Sequence, residues 1–358
     1  MTRIVAILTL LVLPFAICAK KMYVVDQSDS QPLSGTILMS GNGTIVGMTD
    51  EEGACECMAE SLPITVRCIG YKDQHITVVP PDTVFLLPET YELSEIVVNP
   101  ADRPILKLRC YIREYTTGTF GSDTIQMFGE YMADYFLNDK KVKGFHKIST
   151  PYVRAKRARV RYKNSAGLDS IAKPSDTDEF LSWIDLCSIN PHRRTMADSV
   201  MNGATETVMG KYKQFSTCRI NNNRLVYSRD ILANYKGHHW SPWFLKLIGF
   251  TIDASEMRSK DVFLIDDKGN YGPHSLQMAT YTMEMTIKSK FIKKAFHTKE
   301  PIKSFSTVEV YPLEAQYLTV KEAKDLEWDY SQRTIEQSPL APELPANIKE
   351  MLEHTQSH

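Results

Sequence analysis

The chain has 358 residues, of which 43% are hydrophobic and 10% aromatic, so its composition is typical of a folded chain and not of a disordered one. It carries 42 Lys and Arg against 43 Asp and Glu, a formal net charge of −1. That balance argues against a dedicated nucleic-acid-binding protein and against one that binds anionic membranes by charge. The length is too great for one β-sandwich and predicts two or three domains.

Residues 1–19 are predicted to be a secretory signal peptide. Arg3 gives a positive start, Ile4–Ile17 is an apolar run, and Ala19 offers a small residue for cleavage. Cys18 raises lipidation as an alternative, but Ile17 before it is larger than the small residue that lipidation normally requires. We therefore predict cleavage after Ala19, a periplasmic or outer-membrane location, and no transmembrane span in the mature chain.

Residues 20–99 have the pattern of a small β-sandwich. Short β-branched runs alternate with turns rich in Pro, Gly and Asp, as an antiparallel sandwich requires. The turn and strand signals come in this order: Pro32-Leu33-Ser34-Gly35, Thr49-Asp50-Glu51-Glu52-Gly53, Ile69-Gly70-Tyr71 and Leu93-Ser94-Glu95-Ile96-Val97-Val98. In the second signal, Asp50 can accept a hydrogen bond from the backbone two residues on, and Gly53 can take a positive φ.

This order of signals resembles the carboxypeptidase-regulatory-like domain, a seven-stranded, Ig-like and transthyretin-like sandwich of Gram-negative cell envelopes. The resemblance implies a module that docks or spaces and carries no chemistry of its own. Cys55 and Cys57 depart from the family pattern, which has an aromatic and an aliphatic residue there. Because the two cysteines lie two residues apart on one strand, we predict that both face inward as small buried hydrophobes.

The mature chain keeps six cysteines: Cys55, Cys57, Cys68, Cys110, Cys187 and Cys218. Export to an oxidising compartment permits disulfides. Cys55 and Cys57 could not easily bridge each other, whereas Cys68 could pair with either across neighbouring strands. Free buried thiols are the alternative.

Residues 100–335 predict a second, larger domain that is mainly antiparallel β. Period-two alternation of apolar and polar residues predicts its strands. They are Ile105–Tyr115, Ile125–Leu137, Tyr152–Tyr162, Phe215–Ile220, Leu225–Tyr227, Asp261–Ile265, Leu276–Lys288 and Phe305–Tyr311. Asp266–Asn270 is predicted to be the turn of a hairpin.

A few helices interrupt this domain. Helical spacing of apolar residues predicts Ser175–Ile189 and Trp240–Phe250. Thr319 and Glu322 form a capping box that opens a short helix. Residues 336–358 are predicted to be a proline-rich tether followed by a helix at Ala346–His354 and a tail.

The sequence predicts no catalytic, cofactor-binding or metal-binding residue. His297 and Glu300 fit the first fragment of a zinc carboxypeptidase site, but the only later histidines, His354 and His358, lie in the tail. His238 and His239 could form a metal corner, yet adjacent side chains on a regular element point apart.

The densest basic stretch is a candidate strip for an anionic partner. On a strand its cations share one face, where they could bind lipid A phosphates or an acidic glycan. The strip residues are Arg157, Arg159, Arg161 and Lys163. The favoured interpretation is a solvated strand face paired with carboxylates of a neighbouring strand, for example Glu130 or Asp134.

The apolar run from Trp240 offers a second candidate contact. Trp240, Trp243 and Phe244 could anchor the protein at a membrane interface. Because the polar face of this predicted helix is thin, a buried core helix is the favoured interpretation.

The leading functional prediction is a non-catalytic, exported cell-envelope protein without cofactors. Its sandwich would dock or space, and its second domain would bind a protein, glycan or lipid partner, with no nucleic acid. One alternative is a periplasmic hydrolase with a site around His238, His239 and Asp253. The other is a periplasmic carrier of apolar ligands, in which a curved sheet wraps the helix Trp240–Phe250.

Overall fold

The computed structural model describes residues 20–57, 61–89, 102–138, 152–173, 205–209, 215–221, 223–230, 232, 247, 249–266, 269, 271–289, 298, 300–326 and 334–353. The chain divides into two compact units, one ending at Pro88 and the other starting at Glu89. Both are mainly β and built largely from antiparallel strands. The predicted signal peptide and the predicted helix Ser175–Ile189 lie outside the described residues.

The first unit contains seven described strands in two sheets. They are β1 (Lys20–Asp26), β2 (Ile37–Ser40), β3 (Ile45–Met48), β4 (Ala54–Cys57), β5 (Ile64–Arg67), β6 (Gln74–Ile76) and β7 (Thr83–Leu86). One sheet has the strand order β4-β1-β7 and the other β3-β2-β5-β6. The pairing of β1 with β7 is parallel, and the other pairings are antiparallel.

Apolar residues from both sheets share the core of this unit. Met22 and Val24 of β1 are fully buried, because alternate side chains of a strand point to the same side. Cys55 and Cys57 are buried in the same cluster while Glu56 between them is exposed, which confirms the predicted inward side of β4. The five cysteines among the described residues form no disulfide.

The turn before β4 forms as its residues predict. Asp50 Oδ1 accepts hydrogen bonds from the backbone N–H of Glu52 at 3.0 Å and of Ala54 at 2.8 Å. Gly53 has a φ of +71°, in the left-handed region that favours glycine. A Cβ at this position would lie 2.6 Å from the carbonyl oxygen of Val24, so a larger residue requires a backbone shift.

The second unit is built on one ten-stranded antiparallel sheet of described strands. They are β8 (Ile105–Phe120), β9 (Asp123–Asn138), β10 (Tyr152–Lys163), β11 (Asp169–Ala172), β12 (Thr205–Met209), β13 (Phe215–Asn221), β14 (Arg224–Asp230), β15 (Phe250–Leu264), β16 (Leu276–Ser289) and β17 (Ile302–Leu318). The order is β11-β10-β9-β8-β17-β16-β15-β14-β13-β12. Strands that follow each other in the chain are therefore neighbours, except β11 and β12, which stand at the two ends of this order. The pairing of β8 with β17, as with Glu114 opposite Val308, joins the two halves of the sheet.

This sheet buries side chains on both faces. We call one side the apolar face; among its buried residues are Leu108, Ile112, Tyr131, Leu225, Phe263, Tyr281 and Val308. The other side, which we call the polar face, carries Lys107, Tyr111 and Arg113 of β8 with Glu130 and Asp134 of β9, all buried. The two sets alternate along the strands, as the pleat of a strand requires.

The start of β15 differs from the prediction. Phe250, expected to end a helix, is the first residue of this strand, and Gly249 before it has a φ of +75°. Of Trp240–Gly249, only Leu247 and Gly249 are described. The strand also begins at Phe250 and not at the predicted Asp261. The first half of β15 has too few apolar residues to show an alternation in the sequence. It is a strand because its backbone pairs with β16 from Phe250 onward.

Two helices follow the sheet, α1 (Val320–Asp325) and α2 (Ala346–Glu353). Thr319 Oγ1 accepts from the N–H of Glu322 at 3.1 Å, and the Glu322 carboxylate accepts from the N–H of Thr319 at 2.7 Å, which confirms the capping box. No helix in the described part of the chain is long and apolar enough to cross a membrane.

Candidate functional site

The four predicted strip residues lie on β10 and face the polar side of the sheet. The register of β10 against β9 places Arg157 opposite Glu130. Arg159, Arg161 and Lys163 follow at intervals of two, so their side chains leave the strand on the same side. The structure therefore brings the four cations onto one face, as the sequence predicts.

The outer end of the strip is paired with carboxylates. Arg161 donates through Nε and Nη2 to the two oxygens of Asp169, both at 2.7 Å, and through Nη1 to Glu350 at 2.8 Å. Lys163 Nζ lies 3.4 Å from Asp169 as well. The hydrogen bond from Arg161 lowers the pKa of Asp169. This end of the strip thus offers little unpaired charge to a partner.

Arg159 interrupts the strip. Its side chain is buried, and its Nη1 donates to the carbonyl oxygen of Ala158 at 2.5 Å. Burial and the neighbouring charge of Arg157 both lower its pKa. The strip is therefore not a continuous charged surface, and its two ends lie in different surroundings.

The inner end of the strip joins a buried polar cluster across β8, β9 and β10. Arg157 Nε donates to Oε1 of Glu130 at 2.8 Å, a pairing that the solvated-face alternative predicts. Tyr111 donates from its hydroxyl to Oε2 of the same carboxylate at 2.5 Å, and its oxygen accepts from Arg113 Nε at 2.9 Å. Burial raises the pKa of Tyr111, so its hydroxyl stays protonated and remains a donor.

Arg113 links this cluster to the C-terminal segment, residues 334–353. Its Nη1 donates to the carbonyl oxygen of Pro342 at 2.5 Å, between residues 229 positions apart in the chain. Its guanidinium lies over the ring of Tyr111, with 5.2 Å between Cζ and the ring centroid. Three contacts on different sides of one planar group hold it in a single orientation.

The C-terminal segment, predicted in part to be a tether, packs against the polar face. Asn347 of α2 donates to Oε1 of Gln126 on β9 at 3.2 Å, and Glu350 pairs with Arg161 as described above. The buried apolar residues of the segment are Leu344, Ile348, Met351 and Leu352. They give it a hydrophobic contact in addition to the polar ones.

A pocket of about 390 Å³ lies between the sheet and this segment. Arg113 and Arg157 line it from the sheet, and Leu344, Leu352 and Lys349 are among the residues that line it from the segment. Among the described residues, Arg113 Nη2 and Arg157 Nη1 have no hydrogen-bond partner. The pocket therefore brings two guanidinium groups together with the carboxylates of Glu343 and Glu353 and with apolar side chains.

The apolar face holds buried ionisable groups that the sequence analysis does not single out. Tyr131 donates from its hydroxyl to Oε1 of Glu114 at 2.8 Å, and burial raises the pKa of Glu114 to about 7. Arg229 Nη2 lies 3.3 Å from Asp261 Oδ2, with both side chains almost fully buried. These groups lie among the apolar residues that form the core of the sheet.

The sequence contains a signal for two of these residues. Glu114 continues the phase of Leu108, Cys110 and Ile112, and Arg229 continues the phase of Leu225 and Tyr227. A charged residue at an apolar phase of a strand predicts a buried charge. Arg113 has no such signal, because it lies in the polar phase and its burial depends on the distant C-terminal segment.

Of the predicted apolar contact and the alternative hydrolase site, only Asp253 belongs to the described residues. Trp240, Trp243 and Phe244, the predicted apolar contact, lie outside the described residues, as do His238 and His239. Asp253, the third residue of the alternative hydrolase site, lies on β15 opposite Thr286 of β16. Within the described part of the chain, no group of three or more His, Cys, Asp and Glu side chains could hold a metal ion.

No protein-family model matches this chain, and no curated protein sequence matches it. Its function is therefore argued from its own residues.

Proposed function

We propose that this protein is an exported, non-catalytic protein of the bacterial cell envelope. Its first unit is a carboxypeptidase-regulatory-like sandwich of the Ig-like, transthyretin-like type and acts as a docking or spacer module. Support comes from seven strands in two sheets with a shared core, and from the turn that Asp50 and Gly53 form before β4. The order of turn signals in the sequence supports the same assignment.

The second unit, in this proposal, binds an anionic envelope molecule in the pocket between Arg113 and Arg157. The observation that carries the proposal is that two arginines line one pocket while other contacts hold them, Tyr111 and Pro342 for Arg113 and Glu130 for Arg157. Guanidinium N–H groups are strong donors to carboxylates and phosphates. Orientation by Tyr111 and Glu130 reduces the entropy lost on binding.

The charge around the pocket limits the ligand. Glu130 pairs with Arg157, and the nearby Glu309 offsets the charge of Arg113. Glu343, which pairs with Lys349, and Glu353 line the pocket itself. A ligand there is therefore held by directed hydrogen bonds more than by net charge, which favours a singly charged group over a polyanion. The carboxylate of an acidic glycan and the phosphodiester of a lipid head group both fit this description.

The test is a pull-down from detergent-solubilised envelopes with glycan and lipid analysis of the bound fraction. Wild-type protein is compared with Arg157→Gln, which removes one wall of the pocket, and with Lys163→Gln, which removes a strip charge paired with Asp169 outside it. We expect wild type and Lys163→Gln to retain the same anionic molecule. Arg157→Gln should retain about tenfold less, as expected for a lost hydrogen bond to a charged group.

Two outcomes contradict the proposal. Recovery of the bait alone from native envelopes rejects a binding role, and equal retention by the three proteins rejects this pocket. Hydrolysis of a peptide or sugar ester that one point substitution abolishes would instead support the alternative hydrolase.

A further inference from the structure

The pocket between the sheet and the C-terminal segment is lined by charges of both signs. Arg113 and Arg157 line it from the sheet, and Lys349 of α2 adds a third cation. The carboxylates of Glu343 and Glu353 line the same space of about 390 Å³. A ligand that fills this space therefore contacts both cationic donors and anionic acceptors.

Both arginines of the sheet already face a carboxylate. Arg157 Nε donates to Oε1 of Glu130 at 2.8 Å. Arg113 is the register partner of Glu309 on β17, so the two side chains leave the sheet on the same side, and the charge of Glu309 acts on Arg113. The charges of these two arginines are therefore balanced before any ligand binds.

The C-terminal segment contributes one balanced ion pair and one carboxylate in excess. Lys349 pairs with Glu343, and the hydrogen bond from Lys349 lowers the pKa of Glu343. Glu353, the last residue of α2, is exposed and forms no ion pair with another described residue. The three cations that line the pocket thus face four carboxylates, which leaves a net charge of −1 at Glu353.

This distribution of charge makes a simple anion a poor fit. An anion bound to the two guanidinium groups adds a second uncompensated negative charge to the one at Glu353. A ligand that also carries an ammonium group adds no net charge and places a cation against that carboxylate. An ammonium group has three N–H donors and no acceptor, so it complements a carboxylate and not a guanidinium.

We propose that the ligand of this pocket is a zwitterion, with an anionic group that accepts from Arg113 and Arg157 and a primary ammonium group that donates to Glu353. This inference rests on the function proposed above, because it names the class of anionic molecule that the same pocket binds. Leu344 and Leu352 offer apolar contacts to the methylene groups between the two charges. The phosphodiester of a phosphoethanolamine head group and the carboxylate of an amino acid are two sources of this chemistry.

The experiment is isothermal titration of the full mature chain at low ionic strength with two pairs of probes. The probes of a pair share one anionic group and differ in the ammonium: glycerophosphoethanolamine with glycerophosphoglycerol, and β-alanine with propionate. We expect the zwitterion of at least one pair to bind about threefold more tightly than its partner probe, which is the effect of one exposed ion pair. The pair that shows this preference identifies the anionic group.

Glu353→Gln tests the ammonium contact. It removes the carboxylate that the ammonium contacts and the like charge that opposes an anion. It should therefore lower the affinity for the zwitterion and raise the affinity for its partner probe, each by about threefold. Arg157→Gln should weaken the binding of both probes. Glu350→Gln is the matched control and should leave the ratio of the two affinities unchanged, because Glu350 lies on the same helix and pairs with Arg161 outside the pocket.

The outcomes separate this inference from the function on which it rests. If wild type binds none of the four probes, or if Arg157→Gln weakens the binding of none, the pocket function fails and the inference fails with it. If wild type binds the two probes of each pair equally, or if Glu353→Gln leaves their affinity ratio unchanged, the pocket binds anions and the zwitterion inference alone is overturned. A ratio that Glu350→Gln shifts as much as Glu353→Gln also overturns it, because the effect then comes from the net charge of the helix.

Discussion

Glu114 should make the second unit less stable as the pH rises from about 4.5 to about 7. Its carboxyl is buried on the apolar face, and burial raises its pKa from 4.5 to about 7, an effect that the hydrogen bond from Tyr131 and the charge of Lys156 oppose. Between these two values the folded state binds a proton that the unfolded state has lost. Stability therefore falls from about pH 4.5 to about pH 7, by about 3 kcal/mol at 1.36 kcal/mol per pKa unit.

Glu114→Gln removes this titration and keeps the size of the side chain and an oxygen that can accept from Tyr131. The difference in unfolding free energy between the variant and wild type should grow by about 2.5 kcal/mol from pH 5 to pH 8, in favour of the variant. All other groups titrate equally in both proteins, so the difference isolates Glu114.

Urea unfolding at a series of pH values measures this difference. Hydrogen exchange of the backbone amides of β8 and β9 at each urea concentration reports on the second unit without a signal from the first. Glu314→Gln, which removes a half-exposed carboxylate of β17, serves as the control. A difference curve for Glu114→Gln that is flat from pH 5 to pH 8, or that falls with pH, would refute the reasoning.

Two further predictions concern packing. Gly53→Ala should destabilise the first unit by more than about 1–2 kcal/mol, the cost of a left-handed backbone alone, because its Cβ would meet the carbonyl oxygen of Val24. Gly167→Ala is the control for backbone strain without a clash, because Gly167 has a φ of +88° and nothing lies near its Cβ position. Hydrogen exchange measures the loss of unfolding free energy that each variant causes in its own unit, and equal losses would contradict a clash at Gly53. Met351→Ala, at a fully buried position, should loosen the C-terminal segment at a cost of about 2–5 kcal/mol. The measurement is the rate of proteolysis within residues 334–353, which should be higher in Met351→Ala than in the control variant Glu353→Ala. Equal rates in the two variants would contradict the prediction.

Local patterns determined much of the secondary structure. The alternation in Ile105–Tyr115 and Leu276–Lys288 is sufficient to predict β8 and β16, since a strand with distinct faces repeats every two residues. The capping box at Thr319 and the turn at Asp50 need only neighbouring residues, and both formed as predicted. The ends of the strands were predicted less well. Backbone pairing with neighbouring strands extends β15 and β17 past the residues that alternate between apolar and polar.

The sequence by itself determined that this is a mainly β protein with a basic strand at Arg157–Lys163, because period and charge are properties of consecutive residues. Only the tertiary structure decided which of those charges are paired and which line a pocket. The contact of Arg113 with Pro342 joins residues 229 positions apart, and the neighbours of Arg229 depend on the register of β14 against β15. Burial of a charge in the polar phase of a strand, as at Arg113, depends on what packs against it, and the spacing of the residues around it does not encode that.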